Sequence, residues 1–251
     1  MRRPYRVGFV QNSPRILRVR QNLADALALM KGKKADLWVL PEFFATGYNF
    51  KSRKEAASVA EPVQGGPTIG ALRDFSIRKG CAIAAGFVEK AGSRLYNSAV
   101  LIDGKKTRLY RKTNLFGNER KFFLPGNTGF KVWDVKGVKV GLMICFDWYF
   151  PEAARALASK GARLIAHPSN LVLPWGPQGM KIRSLENRVF SVTANRVGRE
   201  RGVTFIGKSQ VVGPLGEVLA SAPSGRPWAK VCAVDPQAKG QYLTKRSGIV
   251  P

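Results

Sequence analysis

Strand-like and helix-like segments alternate along the 251-residue chain, and that alternation predicts an α/β fold. Two observations carry the prediction. Short apolar runs bounded by Gly, Pro or Asn recur throughout, several of them apolar on both faces, as strands inside a covered sheet are. Between them lie segments whose apolar residues recur every three or four positions, the spacing that lines one face of a helix.

The first strand is predicted over residues 6–11. Ser13-Pro14 then opens a helix with Ile16, Val19, Leu23, Leu27 and Met30 on one face. Ser13 suits the cap, Pro14 the first turn, and Gly32 the stop. A strand over 36–40, a helix over 68–79 with Ile69, Leu72 and Phe75 inward, and strands over 81–88 and 96–102 follow. Downstream, strands are predicted over 138–144, 162–168, 189–195, 209–213 and 229–235, and helices over 151–160 and 180–188. No linker, low-complexity tract or short-period repeat interrupts the series, so a single domain over 1–251 is expected.

A hydrophobic content of 45% is enough for a sizeable core. No apolar run approaches the ~18 residues a membrane span requires. The apolar stretch after Arg2 and Arg3 stops at Gln11, too soon for a secretory signal. A soluble cytoplasmic protein is the expectation. Cys81, Cys145 and Cys232 are far apart and odd in number, which suggests reduced thiols rather than a disulfide framework or zinc site. The net charge of +26 would attract any polyanion. The basic residues are scattered in short groups, such as Lys31-Gly32-Lys33-Lys34 and residues 51–54 and 105–112, without one tract or arm. They read either as a solvated basic surface with nonspecific polyanion attraction or as the mark of a dedicated polyanion partner.

Three chemically useful groups lie just past strand-like runs, where α/β folds place their clefts. Pro41-Glu42-Phe43-Phe44 follows the very apolar DLWVL, so burial would raise the Glu42 pKa towards general-base use. Viewed alone, Glu42 reads equally as a polar residue in the following loop. Cys145-Phe146-Asp147-Trp148 follows VKVGLMI, and Pro151-Glu152 then opens a helix. A strand, turn and helix in this order can present a thiol nucleophile, with backbone N–H groups of the turn holding an oxyanion and favouring thiolate. Cys81 and Cys232, inside apolar strands, read as small buried hydrophobes. Lys112 ends the strand-like part of LYRKTNLF, with Glu119 seven positions later; in isolation Lys112 is a surface charge. The lone histidine, His167, fits either a Cys–His dyad or a hydrogen-bonded structural residue. No carboxylate spacing suggests a metal site.

Taken together, PEFFATGY, YRKTNLFGNERKFFLPG and GLMICFDWYFPEAARALASKGARLIAHPSNL resemble the three signature blocks of the nitrilase superfamily, in the family's order. The similarity runs on through RSLENRVFSVTANRVG and FIGKSQVVGPLGEVL, covering Val7 to about Val234. The resemblance implies a four-layer αββα sandwich, paired through helix faces into a dimer. It also implies Glu42, Lys112, Glu119 and Cys145 as catalytic residues, with the Phe146 backbone N–H in the oxyanion site and no cofactor. Cys-Phe-Asp-Trp-Tyr-Phe-Pro-Glu looks like the amidase and carbamoylase branches, with aliphatic nitrilases as the alternative. The expected partner is therefore a small amide or nitrile substrate. Trp148, His167 and Asn170 fall in the family's pocket-forming region. The ending LTKRSGIVP is short of the arm with which many relatives reach a neighbouring subunit, so a dimer is expected ahead of higher assembly. The rival from another class is a polyanion-binding protein on an inactive scaffold of this family.

Overall fold

Two six-stranded sheets stack face to face in the computed structural model, which describes residues 3–236. In chain order the elements begin β1 (Tyr5–Gln11), α1 (Val19–Met30), β2 (Leu37–Val39), α2 (Arg53–Ser58), α3 (Pro67–Lys79), β3 (Ala82–Ala91), β4 (Arg94–Asp103) and β5 (Lys106–Arg111). They continue β6 (Val132–Val135), β7 (Val138–Leu142), α4 (Pro151–Ser159), β8 (Leu164–Ser169), α5 (Trp175–Asn187) and β9 (Phe190–Asn195). The last are β10 (Val197–Glu200), β11 (Val203–Ile206), β12 (Gln210–Val212), β13 (Val218–Ser221) and β14 (Trp228–Val234). One sheet has the order β14-β1-β2-β3-β4-β5 and the other β13-β12-β9-β8-β7-β6; β10 and β11 form a separate ribbon. Strands β1, β2 and β3 run parallel, as do β7, β8 and β9.

Alternation along each central strand builds the layers. In β2, Leu37 and Val39 face the other sheet with Val7, Phe9, Val140, Leu142, Leu164 and Val192. Trp38, one residue out of phase, faces the opposite way against Met30 of α1 and Ile69 and Leu72 of α3. On the far side, Ala153, Ala154 and Leu157 of α4 and Met180 of α5 cover Met143 and Ile165. Helices, sheet, sheet and helices therefore stack as αββα. Among the described residues no helix is long and apolar enough to cross a membrane.

The structure shifts two helix starts. Helix α1 begins at Val19, not at Ser13-Pro14, because tertiary contacts hold the preceding segment as a loop. Buried Asn22 accepts from the Arg15 N–H at 2.8 Å and donates to the Arg15 carbonyl at 2.6 Å, and Leu17 is held at φ 62°. Ile16 accordingly leaves the helix face and packs around Phe43 and Phe50. Helix α5 begins at Trp175, five residues before the predicted start at Met180. Pro177 falls in its first turn, where a missing N–H costs nothing. Helix α2 and strands β6, β10, β11 and β13 were not predicted; they are short, and their half-exposed sequences carry no clear period. The ending LTKRSGIVP lies outside the described residues.

Candidate active site

Four segments converge at the C-terminal ends of β2, β5 and β7. Glu42 lies just beyond β2 and is fully buried. Its backbone is clamped from two directions: Asn170 Nδ2 donates to its carbonyl at 2.9 Å, and Gly86 of β3 donates to the Pro41 carbonyl at 3.1 Å. Gly86 has to be glycine for this approach, since a Cβ there would lie 2.5 Å from the Glu42 Cα.

Lys112 follows β5 directly, with its N–H donating to the Asn97 carbonyl at 2.8 Å, and is also fully buried. Far from being a surface charge, its ammonium donates to Glu42 Oε1 at 2.7 Å and to Glu119 Oε1 and Oε2 at 2.8 and 3.0 Å. Glu119 sits in the short 3-10 turn Gly117–Lys121. Asn97 Nδ2 bridges the two carboxylates, at 2.7 Å from Glu42 Oε1 and 3.2 Å from Glu119 Oε2, and the Tyr48 hydroxyl donates to Glu119 Oε1 at 2.7 Å. An ammonium has three N–H groups and three carboxylate oxygens lie within reach of them, two on the same Glu119, so a new acceptor is met by turning one N–H away from the longer Glu119 contact at 3.0 Å.

Cys145 opens a second 3-10 turn, Cys145–Tyr149, with a φ of 41°. This left-handed backbone is uncommon for a side-chain-bearing residue and re-aims the thiol at the strand end. Buried Asp147 holds the turn. Its Oδ2 accepts from the Ile144 N–H at 2.9 Å and the Tyr110 hydroxyl at 2.7 Å, while Oδ1 accepts from the Asn114 N–H and Nδ2 at 3.1 and 2.9 Å. Tyr110 and Asn114 flank Lys112, so Asp147 ties the cysteine turn to the lysine segment. Sequence reasoning left Asp147, Tyr48 and Asn97 without roles. For Asp147 a signal existed, a carboxylate two residues past the thiol, and for Tyr48 its place at the end of PEFFATGY; for Asn97 none did.

The electrostatics follow from burial. Two carboxylates and one ammonium leave an excess negative charge away from water, and burial pushes the Glu42 carboxyl up, with Lys112 pulling against it. Burial alone would lower the Lys112 ammonium, but Glu119 and Glu42 outweigh it and the net is a rise. The Cys145 thiol is raised well above its ordinary value, first by burial and then by Glu42, with Lys112 opposing. This reverses the expectation that the turn favours thiolate: carboxylate repulsion and loss of hydration exceed the pull of the nearby N–H groups.

His167 is fully buried in β8. Its Nε2 lies 2.9 Å from the Cys145 carbonyl oxygen, and its Nδ1 lies 3.1 Å from Thr193 Oγ1. A carbonyl can only accept, so Nε2 carries the proton and Nδ1 accepts from the threonine. The dyad reading is thereby corrected: the ring bonds the backbone behind the thiol, and burial lowers its pKa from 6.5 to about 4. Nor does His167 line the cavity before Cys145. That cavity, about 190 Å³, is lined by Cys145, Phe146, Trp148 and Asn170 together with Phe116, Tyr149, Leu171, Val172, Leu173, Trp175 and Gly176.

The carbon-nitrogen hydrolase family model matches residues 6–237. The chain is a carbon-nitrogen hydrolase of the nitrilase superfamily. The hydrolase is 48% identical to a nitrilase of Pyrococcus abyssi, over 92% of this chain and 89% of that protein. It is 39% identical to an (R)-stereoselective amidase of a Pseudomonas species, over 79% of this chain and 72% of that one. Identity to the N-carbamoylputrescine amidase of Solanum lycopersicum is 34%, over 81% and 77%. Among solved structures, the amidase from Nesterenkonia sp. AN1 in complex with butyramide superposes with a TM-score of 0.80 at 27% identity, covering 92% of this chain and 90% of that one. Another structure of that amidase, with the acetamide moiety of fluoroacetamide covalently added at its active-site cysteine, gives a TM-score of 0.81 at 27% identity over 96% and 93%.

Proposed function

We propose that this hydrolase cleaves the carbon–nitrogen bond of a small amide or carbamoyl compound through a thioester at Cys145. Glu42 takes the thiol proton as the sulfur attacks the carbonyl carbon. An N–H of Lys112, turned from its longer Glu119 contact, and the Phe146 backbone N–H stabilise the oxyanion. Glu42 then delivers its proton to the leaving nitrogen, ammonia or amine departs, and a thioester remains. Glu42 next draws a proton from a water molecule that attacks the thioester; the acid leaves and the sulfur regains its proton. Glu119, with Tyr48, holds Lys112 in place and takes no proton itself.

One observation carries this reading: a buried carboxylate and a fixed ammonium are bonded to each other at the strand ends beside the Cys145 thiol, and burial pushes the Glu42 carboxyl up towards general-base use. Glu42 Oε1 is occupied by Lys112 and Asn97, whereas Oε2 is buried without a hydrogen-bond partner among the described residues and is available to the thiol proton. The acetamide adduct at the active-site cysteine of a glutamate-to-glutamine mutant of the Nesterenkonia amidase supports a nucleophilic cysteine. This intact network also weighs against a polyanion-binding protein on an inactive scaffold. The 48% identity to the Pyrococcus abyssi nitrilase favours nitrile hydrolysis as the second reading, in which the sulfur adds to the nitrile carbon and two waters are consumed. The test is ammonia release from amides, carbamoyl compounds and nitriles, wild type beside Cys145→Ala. Release by wild type alone is expected, and equal release by both would end the proposal.

The same reading includes a single hydrolase domain and a dimer in a cytoplasmic, reducing compartment. Helix α5 leaves Ile182 and Leu185 exposed, an apolar stripe suited to a second copy. All three cysteines are free, as a thiol nucleophile requires. Sedimentation equilibrium should give twice the chain mass, and Ile182→Glu with Leu185→Glu should give the single-chain mass.

A further inference from the structure

The chemistry of the cavity before Cys145 narrows the acyl group. Its walls are Phe116, Phe146, Trp148, Tyr149, Leu173 and Trp175, with no Asp, Glu, Lys, Arg or His among the lining residues. The walls are held in place. Phe146 packs on Phe116 and Tyr149 with ring centroids 5.0 and 5.3 Å apart. The Trp148 ring lies over Gly179 of α5, where a Cβ would come within 2.3 Å of it, and Arg183 Nε donates to the Trp148 carbonyl at 3.1 Å. The polar side chain beside the sulfur is Asn170, whose Nδ2 is committed to the Glu42 carbonyl and whose buried Oδ1 has no partner among the described residues. An acceptor there suits the N–H of an amide.

We infer that the hydrolase acts on uncharged amides whose acyl part is an apolar group of about six carbons, aryl or linear. The size follows from the volume: a cavity of about 150 Å³ lined by aliphatic and aromatic side chains accepts benzene, and this one is about 190 Å³. The charge follows from the lining: the mouth is open, with Tyr149, Leu173 and Trp175 more than half exposed, but a carboxylate or ammonium seated against these walls beside Cys145 would lose part of its hydration and find no partner of opposite charge. A pocket of this kind therefore selects against charged carbamoyl compounds and does little with acetamide, which leaves most of it unfilled.

The inference rests on the proposed hydrolysis, and a matched substrate set separates the two. Hexanamide, phenylacetamide, acetamide, 6-aminohexanamide and adipamic acid are compared by kcat/KM for ammonia release, and their affinities for Cys145→Ala by calorimetry. Each added methylene up to hexanamide should raise kcat/KM by about threefold to tenfold. The cation and the anion should fall about 100-fold or more below hexanamide. Hexanamide and phenylacetamide should bind the alanine variant more tightly than either charged analogue. A charged analogue within tenfold of hexanamide, or a fall from acetamide to hexanamide, overturns the inference and leaves hydrolysis standing. No ammonia from any amide or nitrile, with hexanamide still preferred in binding, overturns the hydrolysis and leaves the pocket assignment standing. Leu173→Glu places a carboxylate at the mouth and should shift the 6-aminohexanamide to hexanamide ratio towards the cation by about tenfold; an unchanged ratio counts against the assignment.

Discussion

At the C-terminal ends of β2 and β5, one lysine and two glutamates are buried and bonded to one another. At the N-terminal ends of β1, β2 and β3, by contrast, a cleft of about 530 Å³ gathers Arg3, Arg6, Lys33, Lys34, Arg78, Lys79 and Lys136 around the single carboxylate Asp36. The cleft holds far more charge, yet its cations sit on long side chains facing water, where interactions are weak and screened by salt. Lys112 has no such freedom, because three oxygens and complete burial fix its nitrogen. Chemistry depends on a fixed geometry away from water more than on the number of charges.

The sharpest way to break this comparison is Lys112→Met. It removes an oxyanion donor and strands two carboxylates, so kcat should fall about 100-fold to 1,000-fold. Stability in urea should fall by about 3–5 kcal/mol. A loss of activity below tenfold would contradict the role given to the buried ammonium. Gly86→Ala touches no reacting group, but its Cβ must displace the Glu42 backbone, and a shift approaching 1 Å should cost up to about 100-fold in kcat. An unchanged kcat would show that the Glu42 position is not critical.

The effect of His167 is on stability rather than rate. Above pH 6.5 the ring is neutral in both folded and unfolded chains. Between 6.5 and about 4 only the unfolded chain binds a proton, so stability falls as pH falls through that window. The total loss is roughly 3 kcal/mol. Urea titrations at pH 7 and pH 4.5 should show the difference in wild type and a smaller one in His167→Gln; equal differences would remove the histidine from this account. The smallest effect belongs to the basic cleft: replacing Lys33, Lys34 and Lys136 by Glu should leave kcat/KM for neutral amides within about twofold and stability within about 0.5 kcal/mol, while lowering the salt needed for elution from heparin. A tenfold change in turnover would mean that the two ends of the sheets are coupled.

Much of this was legible before any coordinates. The apolar runs that became β1, β2, β3, β4, β7, β8, β9 and β12 were placed with their centres correct, because strands buried between two layers have to be apolar on both faces; the edge strand β14 was placed as well, from its alternating apolar residues. The edge and ribbon strands, half in water, carry no such constraint. Strand ends also marked Glu42 and Cys145 as candidates, and the resemblance to the family joined Lys112 and Glu119 to them. What misled was local: Ser13-Pro14 is a good helix start in isolation, and the side chain of Asn22 overrides it. His167 was ambiguous for the same reason, since only the fold decides whether an imidazole meets a thiol or a carbonyl.

By itself the sequence determined the α/β class and which residue types stand at the strand ends, because periodicity is a property of the chain read locally, and the resemblance of three motif blocks pointed to the family. Tertiary structure alone decided that Lys112 is buried between carboxylates 70 and seven residues away, and that burial pushes the Cys145 thiol above its ordinary range. It also decided that Asp147 joins the cysteine turn to the lysine segment, and that the cavity wall is apolar. Each of these depends on distance and loss of water between groups remote along the chain, and neither quantity exists until the two sheets close on each other.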